Sequence, residues 1–207
     1  MIEIVTVNDA FIVVNKPSGL LSVPGRGPDK ADCLSARVQA EFPEALVVHR
    51  LDMETSGLMV FARNPDAQRM LNRAFEQRLV EKYYVAVVTG MIENDHGTIS
   101  LPLICDWPNR PRQMVDHAIG KPSTTHFTVI GRDAARMQTR VGLTPVTGRS
   151  HQLRVHMASV GHAIIGDSLY SVDAPPEGQR LLLHAAKLSF PHPLSSEPVN
   201  SVSNVPF

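Results

Sequence analysis

His49-Arg50-Leu51-Asp52-Met53-Glu54-Thr55-Ser56-Gly57 is a polar stretch held between two apolar ones, Ala45 to Val48 (ALVV) and Leu58 to Ala62 (LMVFA). Apolar runs of that length and composition read as buried strands, so the polar residues between them form a loop anchored at both ends. A histidine, an arginine and two carboxylates fall between His49 and Glu54. Loops carried on a rigid sheet are where reactive groups are placed. An Asp ahead of Thr-Ser-Gly can also simply close a turn by accepting backbone N–H groups. The concentration of charge around it makes Asp52 the candidate for chemistry.

Working outward, Ile2 to Val7 and Phe11 to Val14 read as strands joined by a turn at Asn8-Asp9, and Asn15-Lys16-Pro17-Ser18-Gly19 stops the second. Asp32 is positioned to cap a helix to about Phe42, with Leu34, Val38 and Phe42 on one face, and Pro43 ends it. Asn64-Pro65 supplies an N-cap and a first-turn proline for a second helix, whose buried face is Ala67, Met70, Leu71, Ala74 and Phe75. Its other face carries Arg69 and Arg73. Glu81 to Val88 reads as a strand, with Lys82, Tyr84 and Ala86 on one side and Tyr83, Val85 and Val87 on the other.

A turn at Asn94 to Gly97 leads to a strand at Thr98 to Leu101. Pro102 to Arg112 then holds three prolines, Trp107, Arg110 and Arg112, a composition for a stiff protruding loop rather than sheet. Its structural alternative folds back with Trp107 buried. Strands at about Ser123 to Ile130 and Arg136 to Leu143 precede Thr147-Gly148-Arg149-Ser150-His151-Gln152-Leu153-Arg154, where Ser150 reads as an N-cap and Gly161 as the helix stop. Leu181 to Phe190 is a further strand, after a turn at Gly166-Asp167.

The chain is long enough for one large domain or two small lobes. No apolar run approaches the length of a membrane span, and the first residues lack the pattern of a secretory signal. A cytoplasmic location follows. Cys33 and Cys105 form no paired motif, which argues for free thiols in a reducing compartment. Formal net charge is zero, yet between Arg110 and Arg154 eight basic residues face two acids, a surplus of six. Fifteen of the twenty basic residues are Arg, whose planar fork suits phosphates. A local basic segment on a neutral chain fits a nucleic-acid partner, or else a solvated face.

Three ordered stretches carry a resemblance. His49 to Asp52 followed by Thr55-Ser56-Gly57-Leu58, the Lys82-x-Tyr84-x-Ala86 strand, and Gly148-Arg149-Ser150-His151-Gln152-Leu153-Arg154 resemble the motifs of the RluA-type pseudouridine synthases, enzymes that isomerise uridine within RNA. VVNKPSGLLSVPG near the amino terminus and RLLLHA near the carboxyl terminus fit the same family, so the likeness covers nearly the entire chain. It implies an α+β fold with a mixed, mainly antiparallel sheet of about eight strands and an active-site cleft. Residues 1–207 would be one catalytic domain without the small amino-terminal RNA-binding domain of S4 type that many relatives carry. LPLICDWPNRP resembles a short branch of the family acting on large-subunit ribosomal RNA and on the anticodon loop of some tRNAs.

The resemblance implies Asp52 as the catalytic carboxylate, Arg154 as its ion-pair partner, and Tyr84 against the target base, with Tyr83 the second candidate. His49, Arg50, Lys82, Arg149 and Leu153 fall in or beside the same motifs and are expected at the RNA. Trp107, Arg110 and Arg112 would grip it through stacking and phosphate contacts. Isomerisation leaves the redox state unchanged, so no cofactor and no metal are expected, nor an obligatory protein partner; a monomer acting on rRNA or tRNA is the expected form. Two other enzyme classes fit poorly. Ser150 and His151 are adjacent and point apart, which excludes them as each other's nucleophile and base. Nine histidines include no His-Glu-x-x-His pair for zinc. The alternatives are the same chemistry on another single RNA site, or an RNA-binding module without catalysis.

Overall fold

The computed structural model describes residues 2–25, 27 and 30–207. In chain order the first elements are β1 (Glu3–Val7), β2 (Phe11–Lys16), α1 (Leu34–Glu41), β3 (Leu46–Val47), β4 (Ser56–Ala62) and α2 (Pro65–Glu76). Next come β5 (Glu81–Thr89), β6 (His96–Ser100), β7 (Leu103–Cys105), β8 (Gln113–Val115), β9 (Thr124–Asp133) and β10 (Gln138–Pro145). The last are α3 (Gln152–Ser159), β11 (Leu183–Pro191) and β12 (Pro198–Val202). They fall into two compact units, Met1–Lys82 with His184–Pro206, and Tyr83–Leu183 with Phe207.

In the first unit β4 is the central strand, and all seven of its residues are buried. An unbroken apolar strand of this kind needs cover on both faces. β2 pairs with it antiparallel from Gly57 to Ala62, and β1 pairs outside β2. Along its other edge β4 meets β11 in parallel at Ser56 and Gly57, and β3 antiparallel at Phe61 and Ala62. β12 closes antiparallel on β11. The core joins Phe11, Val13, Leu58, Val60, Leu188 and Phe190 of the sheet to Ala67, Leu71 and Ala74 of α2. Each such large side chain contributes about 1.5–3 kcal/mol by leaving water.

The second unit is an antiparallel run in which β5 pairs with β10, β10 with β9 and β9 with β6. Leu153 and Met157 of α3 pack with Ala86, Val88, Val141, Leu143 and Ile164. β7 and β8 form a separate two-stranded ribbon. The class is the expected α+β, with a mixed and mainly antiparallel sheet. Among the described residues no helix is long and apolar enough to cross a membrane.

Several local expectations are corrected. Asp32 does not cap α1; Cys33 holds that position, and the Asp32 carboxylate is taken by a two-pronged bond from Arg37. His151, in the left-handed region at φ 53°, replaces Ser150 as the residue before α3. Met70 is exposed, so the buried face of α2 is narrower than its apolar content. The arms of the proline-rich loop do pair, as β7 and β8. Other expectations hold: the Asn64 side chain accepts from the Ala67 N–H at the head of α2, and Gly161, at φ 86°, follows the end of α3.

Candidate active site

In the first unit the Asp52 loop is sewn to the Asn15–Gly19 turn. The Lys16 side chain is fully buried, and its Nζ donates to the carbonyls of Pro17 at 2.9 Å, Leu20 at 2.7 Å and Met53 at 2.8 Å. The Met53 carbonyl also accepts from the Gly19 N–H at 3.0 Å, and the Ser18 hydroxyl donates to the Glu54 carbonyl at 2.7 Å. One residue before Asp52, the Ser22 hydroxyl donates to the Leu51 carbonyl at 2.7 Å and accepts from its N–H at 3.1 Å. Asp52 itself closes a turn through its backbone, accepting the Thr55 N–H at 3.1 Å. Two motifs more than thirty residues apart in sequence are thus one rigid device.

The electrostatics of this loop centre on Lys16. Burial pushes its pKa down to about 8, and the carboxylates of Glu54 and then Asp52 pull it back up. A cation therefore sits beneath the loop that carries both acids.

His49 is turned inward. Its Nε2 accepts the Val60 N–H at 3.1 Å, and its ring stacks on Phe75 with centroids 4.7 Å apart. Burial, reinforced by the Lys82 charge, pushes its pKa down to about 3, so it is a neutral fixing point at the head of the loop. Lys82 is half-buried, and burial lowers its pKa also. Arg50 is exposed.

At the far end of the loop, Gly57 has φ 117°, and a Cβ there would meet the Ala185 carbonyl oxygen at 2.4 Å. Only glycine allows β4 and β11 to approach at this point. Beside it the buried His184 joins Ser56 at 2.8 Å to Ser203 at 3.0 Å.

In the second unit the focus is Arg154. It is buried, and its Nε and Nη2 donate to the two carboxylate oxygens of Asp167 at 2.8 and 2.7 Å. Asp167, also buried, accepts from the N–H groups of Leu169 and Tyr170 as well. A buried pair with its remaining lone pairs satisfied in this way tolerates loss of water. The guanidinium carbon of Arg154 lies 5.2 Å from the centre of the Tyr170 ring.

Gln152 fixes the start of α3. Its Oε1 accepts from the Thr147 hydroxyl and the Arg149 N–H, while its Nε2 donates to the Thr124 carbonyl and the Thr125 hydroxyl. Leu153 is a core residue, whereas Arg149 is exposed. Tyr84 is half-buried against the core around Leu143, its direct cross-strand partner. The Tyr83 phenol covers Gly142, where a Cβ would meet its hydroxyl at 2.2 Å. Trp107 is 63% exposed at the ribbon tip, which excludes the folded-back alternative, and the Arg110 guanidinium lies 4.3 Å from the centre of its ring. The tip is held by Asn109 donating to the Asp106 carboxylate.

Lys16, Ser22, Asp167 and Tyr170 were not singled out from sequence. Their side chains act on partners far along the chain or inside the fold. The one local sign was Gly166-Asp167, which also reads as a plain turn. Among the described residues no group of His, Cys, Asp and Glu is arranged to hold a metal ion.

The fold and these two clusters define an α+β protein with a clamped acidic loop and an exposed basic, aromatic ribbon. The chain belongs to the RNA pseudouridylate synthase family, whose model matches residues 10–159. It is 55% identical to the dual-specificity RNA pseudouridine synthase RluA of Vibrio vulnificus, over 93% of this chain and 79% of the relative. It is 51% identical to the protein of the same name from Escherichia coli K12, over 90% and 85%. Human RNA pseudouridylate synthase domain containing 1 superposes with a TM-score of 0.83 at 31% identity, covering 100% of this chain and 84% of that one. The human domain containing 4 protein matches in fold, with a TM-score of 0.80.

Proposed function

We propose that this chain, a uridine isomerase by family, converts particular uridines of large-subunit ribosomal RNA and of the tRNA anticodon loop to pseudouridine. The observation that carries the reading is the clamp on the Asp52 loop, three carbonyls bound by one buried ammonium. Such a clamp holds a carboxylate in place for a reaction rather than for a turn. The names of the relatives support two RNA substrates, since those at about half identity are called dual-specificity.

In the isomerisation the N1–C1′ bond breaks, a C5–C1′ bond forms, and C5 loses a proton while N1 gains one. Electrons balance without an oxidant or cofactor. Asp52 supplies the carboxylate for this exchange. Arg154 is proposed to hold the Asp52 carboxylate ionised, and Tyr84 to support the extruded base. Flipping a base costs about a few kcal/mol, and one aromatic stack returns about 1–3 kcal/mol. Arg50, His49, Lys82, Arg149 and Leu153 are proposed to shape the surroundings, and Trp107, Arg110 and Arg112 to hold the RNA from the ribbon. We take the two units as lobes of one catalytic domain, because the family model runs from the first into the second. The working form is a cytoplasmic monomer.

The test is release of tritium from RNA labelled at uridine C5, with tRNA and ribosomal RNA fragments assayed separately. Wild type is expected to release label from both and Asp52→Asn from neither. If wild type binds RNA but releases nothing, the binding-module alternative replaces this reading.

A further inference from the structure

Tyr170 joins pieces of the second unit to which the family motifs assign separate tasks. Its hydroxyl accepts the backbone N–H of Gln113, the first residue of β8, at 2.8 Å. The same hydroxyl lies 2.7 Å from Nδ1 of His151, the residue heading α3. The amide donates to the phenol oxygen, and the tautomer of His151 sets which of the phenol and Nδ1 donates in the second bond. The face of the phenol lies near two guanidiniums, Arg154 at 5.2 Å and Arg112 at 5.6 Å. Its backbone N–H ends on the Asp167 carboxylate that pairs with Arg154.

One side chain therefore spans the ribbon bearing Trp107, Arg110 and Arg112, the head of α3, and the buried Arg154–Asp167 pair. Two kinds of bond divide the work. The hydroxyl ties down the ribbon, and the ring faces both arginines.

We propose that Tyr170 is the positioning residue that sets the RNA-gripping ribbon in register with Arg154, without itself touching the substrate. The inference rests on the proposed function for the meaning of the ribbon and of Arg154. Its geometry stands apart from that reading. Removing the hydroxyl loosens the ribbon and its tie to the head of α3, whereas removing the ring also takes away the face against which the Arg154 guanidinium lies.

The experiment compares wild type, Tyr170→Phe and Tyr170→Leu for the Kd of a tRNA anticodon stem-loop and for the single-turnover rate at saturating RNA. Thermal melting gives the folded fraction of each. Tyr170→Phe is expected to raise Kd about tenfold, the loss of one tethering hydrogen bond, with the saturated rate within about threefold of wild type. Tyr170→Leu is expected to raise Kd likewise and to lower the saturated rate about 100-fold, as a misplaced group does. In a Trp107→Ala background, where part of the ribbon's grip is already gone, the Kd penalty of Tyr170→Phe should shrink, because the hydroxyl acts through the ribbon.

The proposal is overturned if the two variants behave alike, if Tyr170→Phe costs the same in both backgrounds, or if activity merely follows the folded fraction. A wild type that binds RNA but converts none would remove the proposed function. The Kd comparison in the two backgrounds would then decide the ribbon tether by itself.

Discussion

Lys16 shows how one buried charge can serve chemistry at some cost to folding. Its three carbonyl partners need an ammonium with three N–H groups, and Asp52 and Glu54 sit close enough to raise its proton affinity. Burial outweighs them and brings the pKa from 10.5 to about 8. The folded state thus releases this proton more readily than the unfolded chain does. Between those two values the unfolded chain binds more protons, and the contribution of Lys16 to stability rises with pH. Activity should run the other way. A neutral amine has two N–H groups for three carbonyls and no charge beneath the acids. The single-turnover rate is expected to fall as pH rises through about 8, while the melting temperature shows no matching fall. Lys16→Met should lower the rate about 100-fold at pH 7 and remove that step from the profile. A step surviving unchanged in the variant would assign it to another group. Asp52 stands out in the sequence as a candidate because reactive residue types crowd one short loop. Lys16 was not, because nothing next to a strand-ending Asn-Lys-Pro reveals that the lysine points inward onto a carbonyl 37 residues away.

At the scale of elements, the decisive contact is the parallel step between β4 and β11. Ser56 and Gly57 pair there with His184 and Ala185, and the missing side chain at Gly57 lets the two backbones approach. Gly57→Ala would force a Cβ to within 2.4 Å of the Ala185 carbonyl oxygen at a φ of 117°. It should destabilise the protein by about 3 kcal/mol, the upper end for ordinary point substitutions, and disorder the Asp52 loop that feeds β4. Urea unfolding of the variant measures this, and a loss under about 1 kcal/mol would show that the strands can part without cost. The same scale separates what local sequence reveals from what it does not. α2 could be read because Asn64 and Pro65 act on the next turn of the same chain. The head of α3 could not, since Gln152 and His151 are tied to Thr124, Thr125 and Tyr170, all distant in sequence. α1 misled for a different reason: Arg37 draws the Asp32 carboxylate outward and removes it from capping. β7, β8 and β12 are short and lack an apolar alternation, so pairing alone reveals them.

Over the whole molecule, charge counting overstated the basic surplus. Of the eight basic residues from Arg110 to Arg154, three are committed to carboxylates: Arg132 to Asp95, Arg136 to Asp133 and Arg154 to Asp167. Arg140 donates to the Phe207 carbonyl and lies over its ring. Arg110, Arg112, Lys121 and Arg149 are the exposed cations of the segment that remain for phosphate. A neutral protein that binds RNA through about four cations should show modest salt dependence. At about −0.7 per phosphate on single strands, the slope of log affinity against log salt is expected near −3, against about −4 if six cations took part. Single substitutions Arg110→Ala and Arg149→Ala should each reduce the slope by about 0.7, whereas Arg132→Ala and Arg136→Ala should leave it where it was. The contrast tests how the charge is divided and not its total, because all four variants lower the net charge equally. Equal slopes in all four would mean that the RNA responds to the overall field of the chain. A fall confined to Arg110 and Arg149 would place the phosphates along the ribbon and the loop before α3, where the cations lack carboxylate partners among the described residues.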